Sequence, residues 1–531
     1  MSIAPKHTVY ILLIWFVANL FFLDRFPFVH SDEIWLGGLT RAMMQAGSFD
    51  VTEPFFDLQP RNPHALKILY HTGQSVFIRL FGFGILAFRL FSLVCGAFCL
   101  WLFFRLLRAF EISPGVSLAG MVMLSLDVQF LYASRFGRQE MPVAVFMLAG
   151  MLLLSRTTAR PRLRGVCAGL CAGLAFGLHP NAFIAAMPVS LLYVAAIAAR
   201  RRPVQEGLFF AGSAALSSSV FVFSSFMLNA DFLSDYSDFG RSVGVRSGLS
   251  GRLADFPHFF VKLFNRISGT YYTPDIKSQL VLLCAVVCIA SGVAIWSLVG
   301  RRNGFARWTS AERAGAAGII GTGAGIFILG KFSQPSILFM IPFLYLCLAS
   351  LLSRCMTGDG GWRRAAVTVS VLCVLLAGYS LAGVAADVRR ETEPYPELQS
   401  NLASLVPPGA RTFGNLSWGI PLSTDNLVDI RNLAFLEPAD LNLPDYFEKN
   451  NIEYIVVSDE LDFIYASRPV WNVMYGNPAR WYPALRGFIA ERCVFAGEFP
   501  SPGYGMRIVS RRYTRDWKIR VYRVVGAESK R

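Results

Sequence analysis

Charged residues are scarce in this chain. Only 16% of its 531 residues are Asp, Glu, Lys or Arg, whereas 54% are hydrophobic; about a quarter of the residues of a soluble domain are charged. Apolar runs of roughly 17 to 22 residues recur, which is the length of a helix that crosses a bilayer. The composition therefore excludes an ordinary soluble protein and predicts an α-helical polytopic membrane protein.

Several familiar motifs are missing as well. The sequence has no Walker-type or dinucleotide-type glycine loop, so neither a P-loop NTPase nor a Rossmann enzyme is indicated. It shows no internal repeat of the kind found in many transporters. The first apolar run has no convincing small-residue cleavage site after it, which predicts a retained helix rather than a secretory signal.

Cysteine is confined almost entirely to the apolar runs. The region after 387 contains only Cys493, which excludes an internal disulfide there. Three pairs elsewhere have the four-residue spacing of one helix face, but no His or carboxylate converges on them. Packing between helices is therefore favoured over metal binding. The pairs are Cys95/Cys99, Cys167/Cys171 and Cys284/Cys288.

The distribution of basic residues predicts the topology. About eleven spans are expected, at 8–24, 85–104, 114–132, 141–155, 165–180, 181–199, 207–228, 278–299, 313–330, 336–352 and 365–386. The loops between them are alternately short and arginine-rich, then longer and mixed in sign. Because basic loops stay in the cytoplasm, the N-terminus is predicted inside and residues 387–531 outside. The net charge of +15 is then a topology signal rather than a sign of nucleic-acid binding.

Three parts of the chain are distinguished: a transmembrane domain at 1–386, a first outer loop at 25–84 within it, and a C-terminal domain at 387–531. In the loop, "EIWLGGLTRAMMQAG" and "ALKILYHTGQSVFIRLFGFG" predict two amphipathic helices in the plane of the membrane surface, the first with Trp35 at the interface. In the C-terminal domain, "NIEYIVVSDE", "GMRIVSRRY" and "WKIRVYRVV" predict strands, and "PADLNLPDYFEKN" predicts a helix. A small α/β domain is expected.

The first candidate site is "HSDE". Ser31 as N-cap followed by Asp32 and Glu33 in the first turn is one interpretation, because helix dipoles favour acids there. Capping does not require the neighbouring His30, however, nor the position at the outer end of the first span. A carboxylate at a membrane surface is well suited to act as a base toward a hydroxyl, which is the second interpretation.

The second candidate is "SRFGRQE", a short outer turn. Arg135, Arg138 and Glu140 either anchor helix ends or form a phosphate-gripping site with an acid between cations. Asp127, inside the preceding span, is a functional candidate because intramembrane acids are costly, although it also suits a partner for Arg135 or Arg138.

Further candidates lie at other outer turns. His179 in "GLHPNA" and Lys331 in "GKFSQPS" are either surface anchors or phosphate contacts. His64 and Lys67 in the first outer loop join them as supporting and phosphate-binding candidates. If the topology is correct, all of these turns lie on one face of the membrane.

The motifs "HSDEIWLGGLTRAMMQAGSFD", "IRLFGFGILAFRLFSLVCG" and "SRFGRQE" resemble those of the GT-C glycosyltransferases, in particular the protein O-mannosyltransferase and aminoarabinose-transferase type. The resemblance covers residues 1 to about 355 well and the tail loosely. It implies a GT-C fold, a bacterial inner-membrane location, and a donor sugar carried by polyprenyl phosphate.

The resemblance also assigns roles. It implies that Asp32 is the base for the acceptor hydroxyl, with Glu33 beside it, and that Glu140 occupies the second acidic position, where relatives often carry Asp. Lys67 matches the family's Lys-Pro-Pro-Leu only approximately. Arg135, Arg138 and Lys331 are implied as donor-phosphate ligands. Some relatives use a divalent cation and others do not, so the metal dependence stays open.

Three other functions remain as alternatives. A polymerase or ligase of lipid-linked glycans would use a pyrophosphate-linked donor. A transporter or flippase of lipid-linked sugars would have broken helices and charges near the bilayer midplane. A membrane scaffold would leave the paired acids unexplained.

Overall fold

The computed structural model describes residues 5–59, 61–156, 160–242, 245, 248–265, 281–289, 291–292, 309–330, 332–357, 360–390, 393–467, 478–505 and 516–526. Two compact units are present. The helical unit comprises residues 1–23, 64–73 and 89–388, and the α/β unit comprises residues 24–63, 74–88 and 389–531. Residues 64–73 of the first outer loop belong to the helical unit, and the rest of that loop belongs to the α/β unit.

Long helices form most of the N-terminal three quarters of the chain. They are α1 (Pro5–Leu20), α2 (Ser31–Ala46), α3 (Ile68–Phe81), α4 (Ile85–Ala109), α5 (Pro114–Ser125), α6 (Val128–Ser134), α7 (Glu140–Ser155), α8 (Pro161–Phe176), α9 (Ala182–Ala198), α10 (Val204–Leu228), α11 (Phe232–Ser242), α12 (Leu249–Asn265), α13 (Ser310–Leu329), α14 (Ile341–Thr357) and α15 (Gly360–Arg390). A 3-10 helix, Gln334–Phe339, precedes α14. Residues 281–289 are also helical.

Four helical segments in the described part of the chain are long and apolar enough to cross a membrane: Ile85–Ala109, Val204–Leu228, Pro335–Met356 and Ala366–Ala386. Shorter apolar helices occur at Lys6–Leu20, Glu140–Ser155 and Ala182–Ala198. All of these coincide with predicted spans, so the mainly helical membrane fold is confirmed. The count of eleven spans and their orientation remain predictions.

The predicted span 114–132 is a broken helix. The segments α5 and α6 are bent by 67° at the break between Ser125 and Val128. Asp127 lies at this break and is the N-cap of α6. The sequence analysis did not predict the break, because the apolar run passes through it without Pro or Gly.

Close packing of α8 against α10 depends on glycine. At Gly165, Gly169 and Gly173, spaced by four residues, a Cβ atom would collide with main-chain atoms of α10. The absence of side chains along this stripe therefore lets the two backbones approach, as in other membrane helix pairs. All ten cysteines are free thiols, including Cys167 and Cys171 on the same helix.

The α/β unit contains a five-stranded sheet of order β2-β1-β3-β5-β4. The strands are β1 (Thr412–Gly414), β2 (Leu427–Asp429), β3 (Tyr454–Ser458), β4 (Cys493–Pro500) and β5 (Lys518–Val524). β1 pairs in parallel with β2 and β3, while β5 pairs antiparallel with β3 and β4. Helices α16 (Tyr395–Leu405), α17 (Leu443–Lys449), α18 (Glu460–Ser467) and α19 (Pro478–Arg492) complete the unit.

The small α/β domain predicted for the tail is confirmed. Two predicted strands correspond to β3 and β5, and the predicted helix corresponds to α17. The strand predicted in "GMRIVSRRY" lies almost entirely outside the described residues. The three-residue strands β1 and β2 are too short to produce an alternating pattern, and β4 was not predicted either.

Helix α2 packs against the C-terminal part of the α/β unit. Arg41 forms an ion pair with Asp425 at 2.9 Å, and Ile34 contacts the position of Gly419 so closely that a Cβ atom there would clash. The ring of Phe28, just before α2, stacks on Tyr504 with 4.2 Å between centroids. The loop and the tail are therefore parts of one folded body.

This packing corrects the prediction that α2 lies with its apolar face in the membrane surface. Ile34, Leu36, Leu39 and Met43, which define that face, are at most 9% exposed because protein covers them. The helix itself was predicted correctly. Its apolar face contacts protein rather than lipid.

Candidate active site

The first turn of α2 is held by a cap different from the one expected. The N-cap is His30, not Ser31. The Nδ1 atom of His30 accepts a hydrogen bond from the Asp32 main-chain N–H at 2.9 Å, and the Glu33 carboxylate accepts one from the His30 N–H at 3.0 Å. His30 was taken to be unnecessary for capping; in the structure it is the cap, and Glu33 completes it.

The two adjacent carboxylates have different environments. Glu33 is completely buried and bonded to the main chain, which indicates a structural rather than a catalytic role. The Asp32 side chain is 23% exposed, with Oδ1 at 3.4 Å from His30 Nδ1. Asp32 thus keeps a solvent-accessible carboxylate beside a rigid cap.

The short turn before α7 contains a tight ion pair. Arg138 Nη2 lies 2.9 Å from Glu140 Oε1, and Arg138 Nε lies 3.3 Å from Oε2. The side chains are 15% and 7% exposed. A guanidinium held on two sides by one carboxylate has a fixed orientation. Arg138 therefore presents an oriented cation, and Glu140 positions it.

Arg135, only three residues earlier, has another function. Its guanidinium donates to the main-chain carbonyls of Asn19 and Phe21, the latter at 2.9 Å. Arg89, which is completely buried, donates to the carbonyl of Leu23 at 2.9 Å. Together they satisfy carbonyls at and just beyond the C-terminal end of α1, where no helical partner exists. Arg135 thus supports the end of α1, and its assignment as a phosphate ligand stays a prediction. Arg89 was missed in the sequence.

Three predicted turns meet within the helical unit. The hydroxyl of Tyr70 donates to the carbonyl of Gly137 at 2.7 Å, and the N–H of Leu69 donates to the carbonyl of Gly177 at 3.0 Å. These bonds join the start of α3, which follows Lys67, to the Arg138 turn and to the turn that contains His179. The half-buried Lys67 therefore lies in a segment bonded directly to both turns.

The remaining histidines have local contacts. His179 Nδ1 accepts from the Asn181 N–H at 2.9 Å, so it stabilises its own turn. The His64 ring lies edge-on to Tyr236, with centroids 5.7 Å apart.

The 3-10 helix Gln334–Phe339 packs against α6, α7 and α9, while Lys331 itself lies outside the described residues.

Asp127 accepts hydrogen bonds at the helix break. One of its oxygens accepts from the Phe130 N–H at 3.1 Å, and the other accepts from the Tyr345 hydroxyl at 3.1 Å. Because hydrocarbon offers no water to bond the N–H groups released at a break, the protein must supply acceptors. The pairing of Asp127 with Arg135 or Arg138 stays a prediction.

The candidate residues fall into both units. His30, Asp32 and Glu33 belong to the α/β unit, whereas His64, Lys67, Asp127, Arg135, Arg138, Glu140 and His179 belong to the helical unit. Among the described residues, no three His, Cys, Asp or Glu side chains form a group able to hold a metal ion.

Comparison with known proteins agrees with this architecture. Residues 68–226 match the family model of dolichyl-phosphate-mannose-protein mannosyltransferase. The fold is similar to that of ArnT from Cupriavidus metallidurans bound to undecaprenyl phosphate, with a TM-score of 0.58 at 15% identity over 98% of each chain. The apo state of that ArnT gives a TM-score of 0.51 at 16% identity over 97% of each chain. No curated protein sequence matches significantly. The predicted resemblance is confirmed: residues 68–226 are similar to the mannosyltransferase family, and the fold of the chain is similar to that of ArnT.

Proposed function

We propose that this protein is a membrane glycosyltransferase that moves one monosaccharide from a polyprenyl-phosphate donor to an acceptor hydroxyl of the cell envelope. The family match and the fold support the general activity, and a relative of the same fold binds undecaprenyl phosphate. The arginine-rich loops favour an inner-membrane protein with a cytoplasmic N-terminus and catalysis on the periplasmic side.

Asp32 is the proposed base, and one observation carries this assignment. The capping of α2 is carried out by His30 and Glu33, yet Asp32 stands in the same turn with a partly exposed carboxylate. A carboxylate that solvent reaches, on the rigid support of a capped helix, is suited to accept a proton from a hydroxyl.

The reaction is a direct displacement. The acceptor oxygen forms a bond to C1 of the sugar from the face opposite the phosphate, and its proton passes to Asp32. The bond between C1 and the phosphate oxygen breaks with its electron pair, so polyprenyl phosphate leaves and the anomeric configuration inverts. Arg138, oriented by Glu140, and Lys67 are the proposed cations that stabilise the charge on the departing phosphate.

The test uses membranes that contain the protein and a panel of radiolabelled undecaprenyl-phosphate monosaccharides, with undecaprenyl-pyrophosphate glycans beside them. Wild type should consume one of the monosaccharide donors. Asp32→Asn should lower that rate about 10²- to 10⁴-fold, the usual contribution of general acid–base catalysis. Asp50→Asn, an exposed acid in the same segment, is the matched control and should retain full activity.

Other outcomes decide between the alternatives. Consumption of only a pyrophosphate-linked donor would identify a polymerase or ligase. The break between α5 and α6 is the observation that favours a flippase, and donor that crosses the bilayer unconsumed would support it. An Asp32→Asn variant as active as wild type would remove the proposed base.

A further inference from the structure

A cluster of aromatic and charged side chains surrounds Trp35, one helical turn after Asp32. Residues three apart lie on the same side of a helix, so the position of Trp35 fixes the side of α2 from which Asp32 projects. The Trp35 Nε1 donates to Glu53 Oε1 at 2.6 Å. Arg61 donates to both oxygens of the same carboxylate at 2.7 Å. Glu53 is 4% exposed, so this anchor is a buried one.

Arg431 reaches Trp35 from the distant C-terminal segment. Its guanidinium carbon lies 5.2 Å from the centroid of the Trp35 ring and 4.7 Å from that of Phe56. The two rings meet edge to face at 4.9 Å. A planar guanidinium over two perpendicular rings restricts the rotation of both. Arg61 also lies over the Trp35 ring, with its guanidinium carbon 4.9 Å from the centroid. Trp35 is thus fixed at its nitrogen by Glu53 and at its ring by both Arg61 and Arg431.

Arg431 is itself held in place by Asp429. Asp429 binds it through Nε at 2.7 Å and Nη2 at 3.1 Å. Asp429 is 1% exposed and also accepts the Leu416 N–H at 2.8 Å, and its own N–H donates to the carbonyl of Phe55 at 3.1 Å. Since Asp429 neutralises the guanidinium at contact distance, Arg431 acts on Trp35 through its shape more than through its charge.

We propose that Arg431 is a positioning residue for the reaction. Through Trp35 it fixes the first turn of α2 and thereby the direction of the Asp32 carboxylate. This inference rests on the proposed function of Asp32. A purely structural cluster would stabilise the α/β unit without affecting catalysis, so the test separates turnover from folding.

The experiment compares Arg431→Ala and Arg431→Lys with Arg480→Ala. Arg480 is an exposed arginine of the same unit that pairs with Glu437, so its loss controls for removal of a guanidinium. In the donor-consumption assay, Arg431→Ala should lower kcat about tenfold to a hundredfold, because misplacing a catalytic group by about 1 Å costs up to that much. The KM for the donor should stay within about twofold of wild type, as expected for an interaction that matters only in the transition state.

The Arg431→Lys variant is informative because lysine keeps the positive charge but lacks the planar guanidinium group. Arg431→Lys should therefore lose most of the activity that Arg431→Ala loses. If Arg431→Lys is fully active, or if both variants behave like the Arg480→Ala control, the proposal is wrong. Thermal unfolding in detergent reports the folding of each variant. If Arg431→Ala does not fold, Trp35→Leu, which removes the ring that the guanidinium contacts, should show the same loss of kcat, and full activity in that variant would overturn the proposal.

A double mutant distinguishes a positioning role from an independent one. If Arg431 acts only through Asp32, Arg431→Ala should not reduce the residual activity of Asp32→Asn any further, because coupled residues are non-additive. A further loss by the same factor would overturn the proposal. If Asp32→Asn is as active as wild type, the proposed role of Asp32 as base is wrong, and the inference about Arg431 is wrong with it. If Asp32→Asn is inactive while Arg431→Ala is normal, only the inference fails.

Discussion

The turn at residues 30–33 and the turn at residues 135–140 both place a carboxylate in the first turn of a helix, but the two turns hold their acids differently. At the start of α2, Glu33 accepts a main-chain N–H, and Asp32 stands beside the imidazole of His30. At the start of α7 the donor is a guanidinium, since Arg138 grips Glu140 with two nitrogens. A carboxylate that solvent reaches is suited to take up a proton, and one bound to a cation is suited to orient that cation.

The largest effect on donor binding is expected at the α7 turn, when Arg138 is replaced by alanine. The change removes the proposed phosphate ligand and leaves Glu140, 7% exposed, without its cation. Loss of one partner of a hydrogen-bonded buried charge pair is costly, and we expect the donor KM to rise about tenfold or more. Donor-consumption kinetics measure this rise.

Arg135→Gln is the control for that comparison. Its guanidinium binds carbonyls at the end of α1, so it should lower the thermal stability and leave the donor KM unchanged. An increase in KM for Arg135→Gln equal to that for Arg138→Ala would mean that the two arginines share one role.

A smaller effect is expected at the α2 turn, when Glu33 is replaced by alanine. The His30 N–H would lose its acceptor in a buried site, which costs about 1–3 kcal/mol. Thermal unfolding should show the loss, while Glu33→Gln, which keeps an acceptor oxygen, should recover most of it. A Glu33→Gln variant that is stable but inactive would contradict the structural role.

The smallest effect is expected on the pH dependence of stability, and it concerns Glu393 in the α/β unit. Burial raises the pKa of Glu393 to about 7, although its carboxylate accepts bonds from the Ser501 hydroxyl at 3.0 Å and the Gly503 N–H at 2.8 Å. Between pH 4.5 and 7 the folded state binds more protons here than the unfolded state, so stability decreases as the pH rises through this range.

Glu393→Gln removes that titration. We expect it to raise the unfolding temperature by a few degrees at pH 8 and to have no such benefit at pH 4. Thermal scans of both proteins across this range measure the difference. An equal shift at every pH would show that another group is responsible.

Local patterns predicted a large part of the fold. The apolar runs correspond to helices such as α4 and α10, and the alternating apolar residues near 454 and 519 correspond to β3 and β5. These elements are recognisable because burial of one face imposes a regular spacing on the sequence. A strand of three residues such as β1 is too short to show this spacing.

The environment of each candidate residue was predicted less well, because it depends on distant residues. Arg135 and Arg138 look equivalent in sequence, yet one binds the end of α1 and the other binds Glu140, and only the place where α1 stops decides between them. The N-cap of α2 is His30, because its ring nitrogen reaches the Asp32 N–H, although serine is statistically preferred at N-cap positions. Nothing local to Trp35 indicates that Arg431 covers its ring.

The assembly of α2 with the C-terminal segment has a consequence for biosynthesis. Trp35 and Arg431 are about 400 residues apart, so at about 5–20 residues per second the helix is made roughly 20 to 80 s before its partner exists. During that interval the ribosome has delivered the apolar surface of Ile34 and Leu39 but not the residues that later bury it. A nascent chain that stops before residue 431 therefore contains all the candidate acids but lacks part of the fold that surrounds them. The C-terminal segment, which is translated last, completes that fold.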